Sequence, residues 1–493
     1  MKKIHFIGIG GIGVSGLAGY YLSKGYSVAG SDLDKSPTIE ALKKQGAKIY
    51  VGQHKAQNLA KDADLVIHTA AATADNFELK QAKRLGIKCQ TYAQALGDLT
   101  KQMFTIAVSG MHGKSTTTAM LALAIEKAGL DPTVIVGTKV KEWGNLNYRV
   151  GKSLSTKLRA GKYLVIEADE YKASFLNYWP KILVLTNIEE EHLDYYKNLN
   201  HIMATFRKYV SHLGKDGILV VNGDDTNISK LFNSSRITRS EATGLKSQIS
   251  KLHVKCQNYS TKQQEANKIR KILQVSGEHN VSNALAVLTV SRALRISDKI
   301  TFKALNEFKG TWRRMEFRGM INGAKIYDDY GHHPTEIKAT LEGAYQLLSL
   351  RGGHRRRPTK QSRASATGSF RFARDDVRGR LWLVFQPHQY QRTYKLFNQF
   401  ITAFNNADKV VLLPIYSVPG RERDSIKKKI SSQKLVHAIK NKYPVSNIQH
   451  IDSFKKAKNY LKKNLKKGDI AVIMGAGDIY KLTEMLLKKT TNN

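Results

Sequence analysis

Short apolar runs recur along the chain, and most stop abruptly at glycine or at a polar cluster. Residues 3–9, Lys-Ile-His-Phe-Ile-Gly-Ile, read as a first strand, and 14–24 as the helix behind it. Further runs at 27–29, 64–69, 104–108, 163–167, 181–188, 217–221, 324–328, 381–385, 409–413 and 469–474 read as strands, several with a helical segment after them. Apolar runs without alternation are what strands buried on both faces look like. Strands that alternate with helices build βαβ units and parallel sheets, so an α/β chain of several units is expected.

Chemistry concentrates where these runs end. The run at 104–108 leads into Gly110, Met111, His112, Gly113, Lys114, Ser115 and Thr116, and a helix continues through Ile125. Strand, glycine turn and Lys-Ser at a helix start form a phosphate-cradling loop. Backbone N–H groups and the helix N-terminus would hold phosphate oxygens, Lys114 would reach the β/γ-phosphates and Ser115 would sit on Mg²⁺. Val108 occupies the place of the motif's leading glycine. The plain alternative is an ordinary glycine turn; the strand–loop–helix setting favours nucleotide binding.

A second glycine loop lies at the start. Gly8, Gly10 and Gly13 spell G-x-G-x-x-G between the first strand and its helix, and a second strand at 27–29 leads to Gly30, Ser31 and Asp32. Alone, this reads as a nicotinamide-dinucleotide fold with Asp32 on a ribose; the general expectation is a phosphate-bearing ligand at a helix N-terminus. The loop at 68–75, with Thr69 and Ala70, leaves the third strand at the end where such sheets bind ligands.

The runs at 163–167 and 181–188 end in Glu167-Ala-Asp-Glu170 and, shortly after, Glu189-Glu-Glu-His192. Glu167 and His192 are therefore candidates around a metal, whereas Asp169 and Glu170 read equally well as hydrogen-bonded loop acids. His279 and Asn280 precede a helix expected over 284–294 and read either as caps or as contacts to a base edge. Arg313 and Arg314 would suit phosphate charge. Ionisable groups crowd the loop from Asp328 to Pro334, and a strand at 381–385 runs into Gln386–Thr393.

Composition narrows the setting. With 493 residues, two to four domains are expected. No apolar run is long enough for a membrane span, the chain opens directly into a strand, and Cys89 and Cys256 have no metal or disulfide spacing. A cytoplasmic protein is the default. The formal charge of +40 suggests a polyanionic partner, but the lysine runs lack interleaved aromatics and read as solvated faces. Nucleic acid is therefore not expected. One stretch, about 351–380, is rich in Arg, Ser, Gly and Ala and stands out from a chain that otherwise prefers Lys. It reads as a disordered nucleic-acid- or phosphate-binding insert, a tolerated surface insertion or a local sequence error.

Taken in order, these residues resemble the Mur ligase family. The carrying segments are 5–16, Gly110–Thr116, Glu167–Glu170, Thr186–Glu189 with His192–Asp194, Asp328–Glu336, Phe385–His388 with Arg392 and Thr393, and Met474–Ile479. The resemblance implies three domains: a Rossmann-like UDP-substrate domain over 1–98, a central P-loop ATPase-like α/β domain over 99–314, and a C-terminal Rossmann-like α/β domain over 315–493. It implies ATP-dependent addition of L-alanine to UDP-N-acetylmuramate, with ATP and Mg²⁺, in peptidoglycan synthesis, by a monomer or homodimer.

By the same resemblance the catalytic set is Lys114, Glu167, His192, Asp329, His333 and Arg392. ATP falls to Gly110–Thr116, His279, Asn280 and Arg314, and metal to Ser115, Glu167 and His192. The UDP-sugar falls to Gly10, Gly11, Ile12, Gly13, Ser31, Asp32, Thr69 and Ala70. Arg392 would hold the alanine carboxylate. Ser115 departs from the family's common Thr and Gln389 from a frequent second Arg, and the Arg-rich stretch has no evident counterpart. A peptide-adding recycling ligase, a nicotinamide-dependent oxidoreductase, a nucleic-acid-binding protein and a non-catalytic relative are the alternatives.

Overall fold

The computed structural model describes residues 1–151, 162–232, 254–349, 379–418, 422, 424–443 and 447–488. The Arg-rich stretch lies outside these residues apart from 379 and 380. The described strands form three sheets, and the chain divides into two compact units. The first comprises Met1–Glu191, Tyr195–Gln274 and Val281–Trp312; the second comprises His192–Asp194, Val275–Asn280 and Arg313–Asn493.

In the first unit, β1 (Lys3–Ile7), β2 (Ser27–Asp32), β3 (Lys48–Val51), β4 (Leu65–His68) and β5 (Lys88–Thr91) make a parallel sheet in the order β3-β2-β1-β4-β5. The order reverses between β1 and β4, which opens a ligand crevice at their carboxyl ends. The second strand is longer than expected. Gly30 and Ser31 pair with Phe6 and Ile7, so the ladder carries the extended backbone beyond Ala29.

The second sheet combines β6 (Phe104–Ser109), β7 (Thr133–Val140), β8 (Leu146–Arg149), β9 (Tyr163–Glu167), β10 (Ile182–Leu185), β11 (Ile218–Asn222) and β12 (Lys255–Tyr259), in the order β12-β11-β10-β6-β9-β7-β8. β6 lies between β10 and β9. The helix Lys114–Lys127 behind it is buried without interruption from Ser115 to Ile125, as an all-round apolar core helix must be.

The two sheets of this unit are joined closely. Helix Ile12–Ser23 packs on β7 and β8, and a Cβ at Gly19 would overlap the Tyr148 ring. Asn147 donates to Ser15 Oγ at 3.1 Å and to the Ile12 carbonyl. Tyr148 donates from its hydroxyl to Gln45.

The second unit has a six-stranded sheet of β13 (Glu316–Ile321), β14 (Ala324–Asp329), β15 (Leu381–Phe385), β16 (Lys409–Leu412), β17 (Ile448–His450) and β18 (Ile470–Met474), in the order β13-β14-β18-β15-β16-β17. Among the described residues, only the β13–β14 pair of this sheet is antiparallel. Alternate residues feed two cores: Leu381, Leu383 and Phe385 enter one, Trp382 and Val384 the other. A period of two on a sheet covered on both faces gives the unbroken apolar run. No helix among the described residues is long and apolar enough to cross a membrane.

Candidate active site

The loop after β6 has little freedom. Gly110 adopts φ 133° and Gly113 φ 82°, in the region that glycine enters without penalty. A Cβ on Gly110 would overlap the Thr186 hydroxyl and lie 2.9 Å from the Asn187 carbonyl oxygen. Thr186 and Asn187, just beyond β10, brace the turn. Met111 N–H donates to the Asn187 carbonyl at 3.2 Å and His112 N–H to Asn187 Oδ1 at 2.8 Å. Thr186 Oγ1 and Asn187 Nδ2 donate to the His112 carbonyl at 2.6 and 2.9 Å. The His112 ring is paired with Glu189.

Lys114 turns back over this loop, donating to the carbonyls of Gly110 at 2.7 Å and Met111 at 3.1 Å. It also donates to Glu170 Oε2 at 2.8 Å, and Glu170 is fully buried. Burial pulls the ammonium pKa down, but Glu170, Asp169 and Glu167 more than offset this and hold it above the ordinary lysine value. Ser115 Oγ donates to Glu167 Oε1 at 3.0 Å, and Gly137 N–H donates to Glu167 Oε2 at 2.7 Å. Burial pushes the Glu167 carboxyl up, against Lys114 and these hydrogen bonds. Thr116 is buried in the helix's first turn. A hydroxyl and a carboxylate side by side are hard oxygen donors that suit Mg²⁺. Gly110 to Thr116 and Glu167 thus form one cluster, and Glu170, read from sequence only as a possible loop acid, belongs to it.

The other glycine loop follows β1. The N–H groups of Gly8 and Ile9 both donate to the Ser31 carbonyl, at 2.8 and 3.1 Å. Gly10 N–H donates to Asp32 Oδ2 at 2.8 Å, so the Asp32 carboxylate braces the loop. Thr69 N–H donates to the Ile7 carbonyl at 3.0 Å. Gly10, Gly11, Ile12, Gly13, Ser31, Asp32, Thr69 and Ala70 therefore gather at the carboxyl ends of β1, β2 and β4. Helix Ile12–Ser23 has no acid in its first turn, which leaves its N-terminus suited to an anion.

Sequence reasoning missed the residue beneath this loop. Glu78 is fully buried and accepts hydrogen bonds from Ser31 Oγ at 2.7 Å and Asn58 Nδ2 at 2.8 Å. Its oxygens also lie 2.7 Å from His5 Nε2 and 3.2 Å from His54 Nδ1. Burial raises the carboxyl pKa, yet the bonds from His5, Asn58 and Ser31 outweigh it and hold the group at about 2. The available signal was His5, a polar residue inside an apolar run.

In the second unit, Asp329 ends β14 and is buried. Its oxygens accept from Gly331 N–H at 2.7 Å and Met315 N–H at 2.9 Å, and burial pushes its carboxyl up. Arg314 donates to Glu336 Oε1 at 3.2 Å, while Glu336 Oε2 accepts from His332 N–H at 2.9 Å and His333 N–H at 3.3 Å. His333 is buried. Arg313 is also buried and donates to the Gly475 carbonyl, its guanidinium over the rings of Tyr330 and Tyr480.

Arg392, buried in helix Tyr390–Lys395, donates to the His388 carbonyl at 2.9 Å. The His388 ring stacks on Tyr416 with centroids 5.4 Å apart and lies 5.8 Å from the His332 ring. The Asp329–His333 loop and the Arg392 helix are thereby neighbours. Gln389 caps that helix at φ 73°. His192 is half-buried at φ 53°. His279 and Asn280 occupy the first turn of helix Glu278–Ala293, which starts earlier than the apolar pattern suggested. Asn280 Nδ2 bonds the Ser276 carbonyl at 2.7 Å, closing the turn with a side chain.

Comparison with known proteins accounts for the order of these sites. The profile described as Mur ligase family, catalytic domain, matches residues 3–103. The Mur ligase middle domain matches 108–291, and the Mur ligase, glutamate ligase domain, matches 313–356 and 362–477. The last match breaks at 357–361, inside the Arg-rich stretch.

A UDP-N-acetylmuramate–L-alanine ligase of Clostridium tetani is 40% identical over 494 residues, covering 99% of this chain and 98% of the relative. Two solved structures share the fold. One is a UDP-N-acetylmuramate-alanine ligase from Thermotoga maritima, with TM-score 0.72 and 24% identity, covering 99% of this chain and 98% of that one. The other is a murein peptide ligase from Psychrobacter arcticus, with TM-score 0.66 and 22% identity, covering 99% and 98%. With all three profiles in sequence and full-length similarity at this level, the chain belongs to the Mur ligase family.

Proposed function

We propose that this chain joins L-alanine to the carboxylate of UDP-N-acetylmuramate at the expense of ATP, in cytoplasmic peptidoglycan precursor synthesis. The observation that carries the reading is 40% identity to a UDP-N-acetylmuramate–L-alanine ligase along 99% of the chain. The nicotinamide alternative for Gly8–Gly13 gives no task to Lys114, Ser115 and Glu167 and is set aside.

In this reading, Gly10–Gly13, Ser31, Asp32, Thr69 and Ala70 hold the UDP-sugar. The amides of Gly110–Thr116 hold ATP, with His279, Asn280 and Arg314 assisting. The lactyl carboxylate attacks the γ-phosphoryl group, giving an acyl phosphate and ADP. The amine of L-alanine then attacks the acyl carbon, and phosphate leaves. Two anions meet in the first step, so cations must lower the barrier. Lys114 supplies one. Ser115, Glu167 and His192 would hold Mg²⁺, which contributes further charge neutralisation when bound. Asp329 and His333 would serve the reacting groups, and Arg392 would take the alanine carboxylate through its planar fork.

The test is phosphate release from ATP with UDP-N-acetylmuramate against single amino acids and short peptides. Release with L-alanine but not with tripeptide is expected. Release with tripeptide alone would assign the recycling reaction, and no release from folded protein would remove the enzymatic reading.

A further inference from the structure

We infer that Glu78 is a positioning residue for the UDP-sugar site: a buried carboxylate that fixes Ser31 and, through Ser31, the glycine loop. This rests on the reading of Gly10–Gly13 and Ser31 as that site. Glu78 collects donors from distinct segments: His5 in β1, Ser31 near the end of β2, His54 in the loop after β3, and Asn58 in the short helical turn Ala56–Asn58. An ionised carboxylate survives such burial only when hydrogen bonds replace its water. A position needed merely to fill space would be served better by an apolar side chain.

The geometry of Ser31 gives the arrangement its direction. The Ser31 hydroxyl is held by Glu78 at 2.7 Å and also lies 2.9 Å from His54 Nδ1. The Ser31 carbonyl is held on the other side by the N–H groups of Gly8 and Ile9. Glycine has no side chain with which to fix its own loop, so these backbone bonds set the loop's shape. Glu78 lies one residue behind them and touches no substrate atom in this scheme. It lowers the ordering cost of binding by keeping the amides in place beforehand.

Steady-state kinetics on the full chain tests this. Glu78→Gln keeps the shape but turns one acceptor oxygen into a donor facing donors. The KM for UDP-N-acetylmuramate should rise about tenfold, the size of one lost charge-assisted hydrogen bond, with the KM values for ATP and L-alanine unchanged. Ser31→Ala should do the same, and the double variant should be no worse than the more impaired single one. A parallel rise in all three KM values, or additive effects, would overturn the inference.

If Glu78→Gln does not fold, the same cycle with Asn58→Ala decides it. A smaller selective rise that vanishes in the Ser31→Ala background supports the coupling, and additivity overturns it. Wild-type protein run alongside separates the two readings. If it does not turn over UDP-N-acetylmuramate, the proposed function fails, and the cycle is then read by calorimetry with UDP, where absence of coupling likewise overturns the inference.

Discussion

Lys114 Nζ lies 2.8 Å from Glu170 Oε2 and 2.7 Å from the Gly110 carbonyl oxygen, so the lysine of the phosphate loop is held by its own loop and a buried acid. Replacing it removes both the cation proposed for phosphoryl transfer and the ammonium facing Glu170. Lys114→Ala should lower phosphate release on the order of a thousandfold and cost about 3 kcal/mol of stability. UDP binding should survive. Adding Glu170→Gln should recover the thermal midpoint but not the turnover, which separates the structural loss from the catalytic one in paired melting and phosphate-release assays.

Gly110→Ala should act through shape alone. Its φ of 133° and its approach to Thr186 and Asn187 leave no place for a methyl group. A loss of about 2–3 kcal/mol is expected from backbone strain and overpacking. Stabilisation by a non-hydrolysable ATP analogue in a thermal-shift assay should disappear with it, while stabilisation by UDP remains.

Arg392→Lys keeps the charge and loses the planar fork. The KM for L-alanine should rise about tenfold or more, with those for ATP and UDP-N-acetylmuramate unchanged. An equal change in all three would show that Arg392 supports the fold of its helix rather than one substrate.

Asp328 gives the chain a pH dependence of defined sign. Burial raises its carboxyl to about 6, against the Thr483 hydrogen bond and Arg318 at 2.9 Å. The folded state therefore holds this proton more tightly than the unfolded state. The contribution is fully present below the unfolded value of about 3.9 and is lost as pH rises through about 6. Asp328→Asn should be the more stable protein near pH 8, by up to about 3 kcal/mol, and the gap should close below about pH 4. Denaturant melts at the two pH values check this.

The parts legible in the sequence were those whose cause is local. Leu381–Phe385 reads as a buried strand because alternate side chains enter two cores. Lys48–Val51 and Lys88–Thr91 went unread because edge strands with little full burial carry no strong pattern. The phosphate loop was legible because glycine, Lys114 and Ser115 are contiguous. The Lys114–Glu170 pair was not, because the parallel register of β6 with β9, Val108 opposite Glu167, decides which acid faces the lysine. Glu78 lay further out of reach, since its bond to His5 spans 73 positions and nothing near either residue announces the other.

The joint between helix Ile12–Ser23 and β7–β8 has a thermodynamic consequence. With Gly19 under the Tyr148 ring and Asn147 bonded to Ser15, the spacing of the two glycine loops in this structure is set by protein contacts alone. A ligand at one loop could change the other through this joint only by binding more tightly to a different packing of the same contacts. Those contacts therefore act as a ruler between the loops, and repacking the Tyr148 ring is the cost of moving one loop against the other.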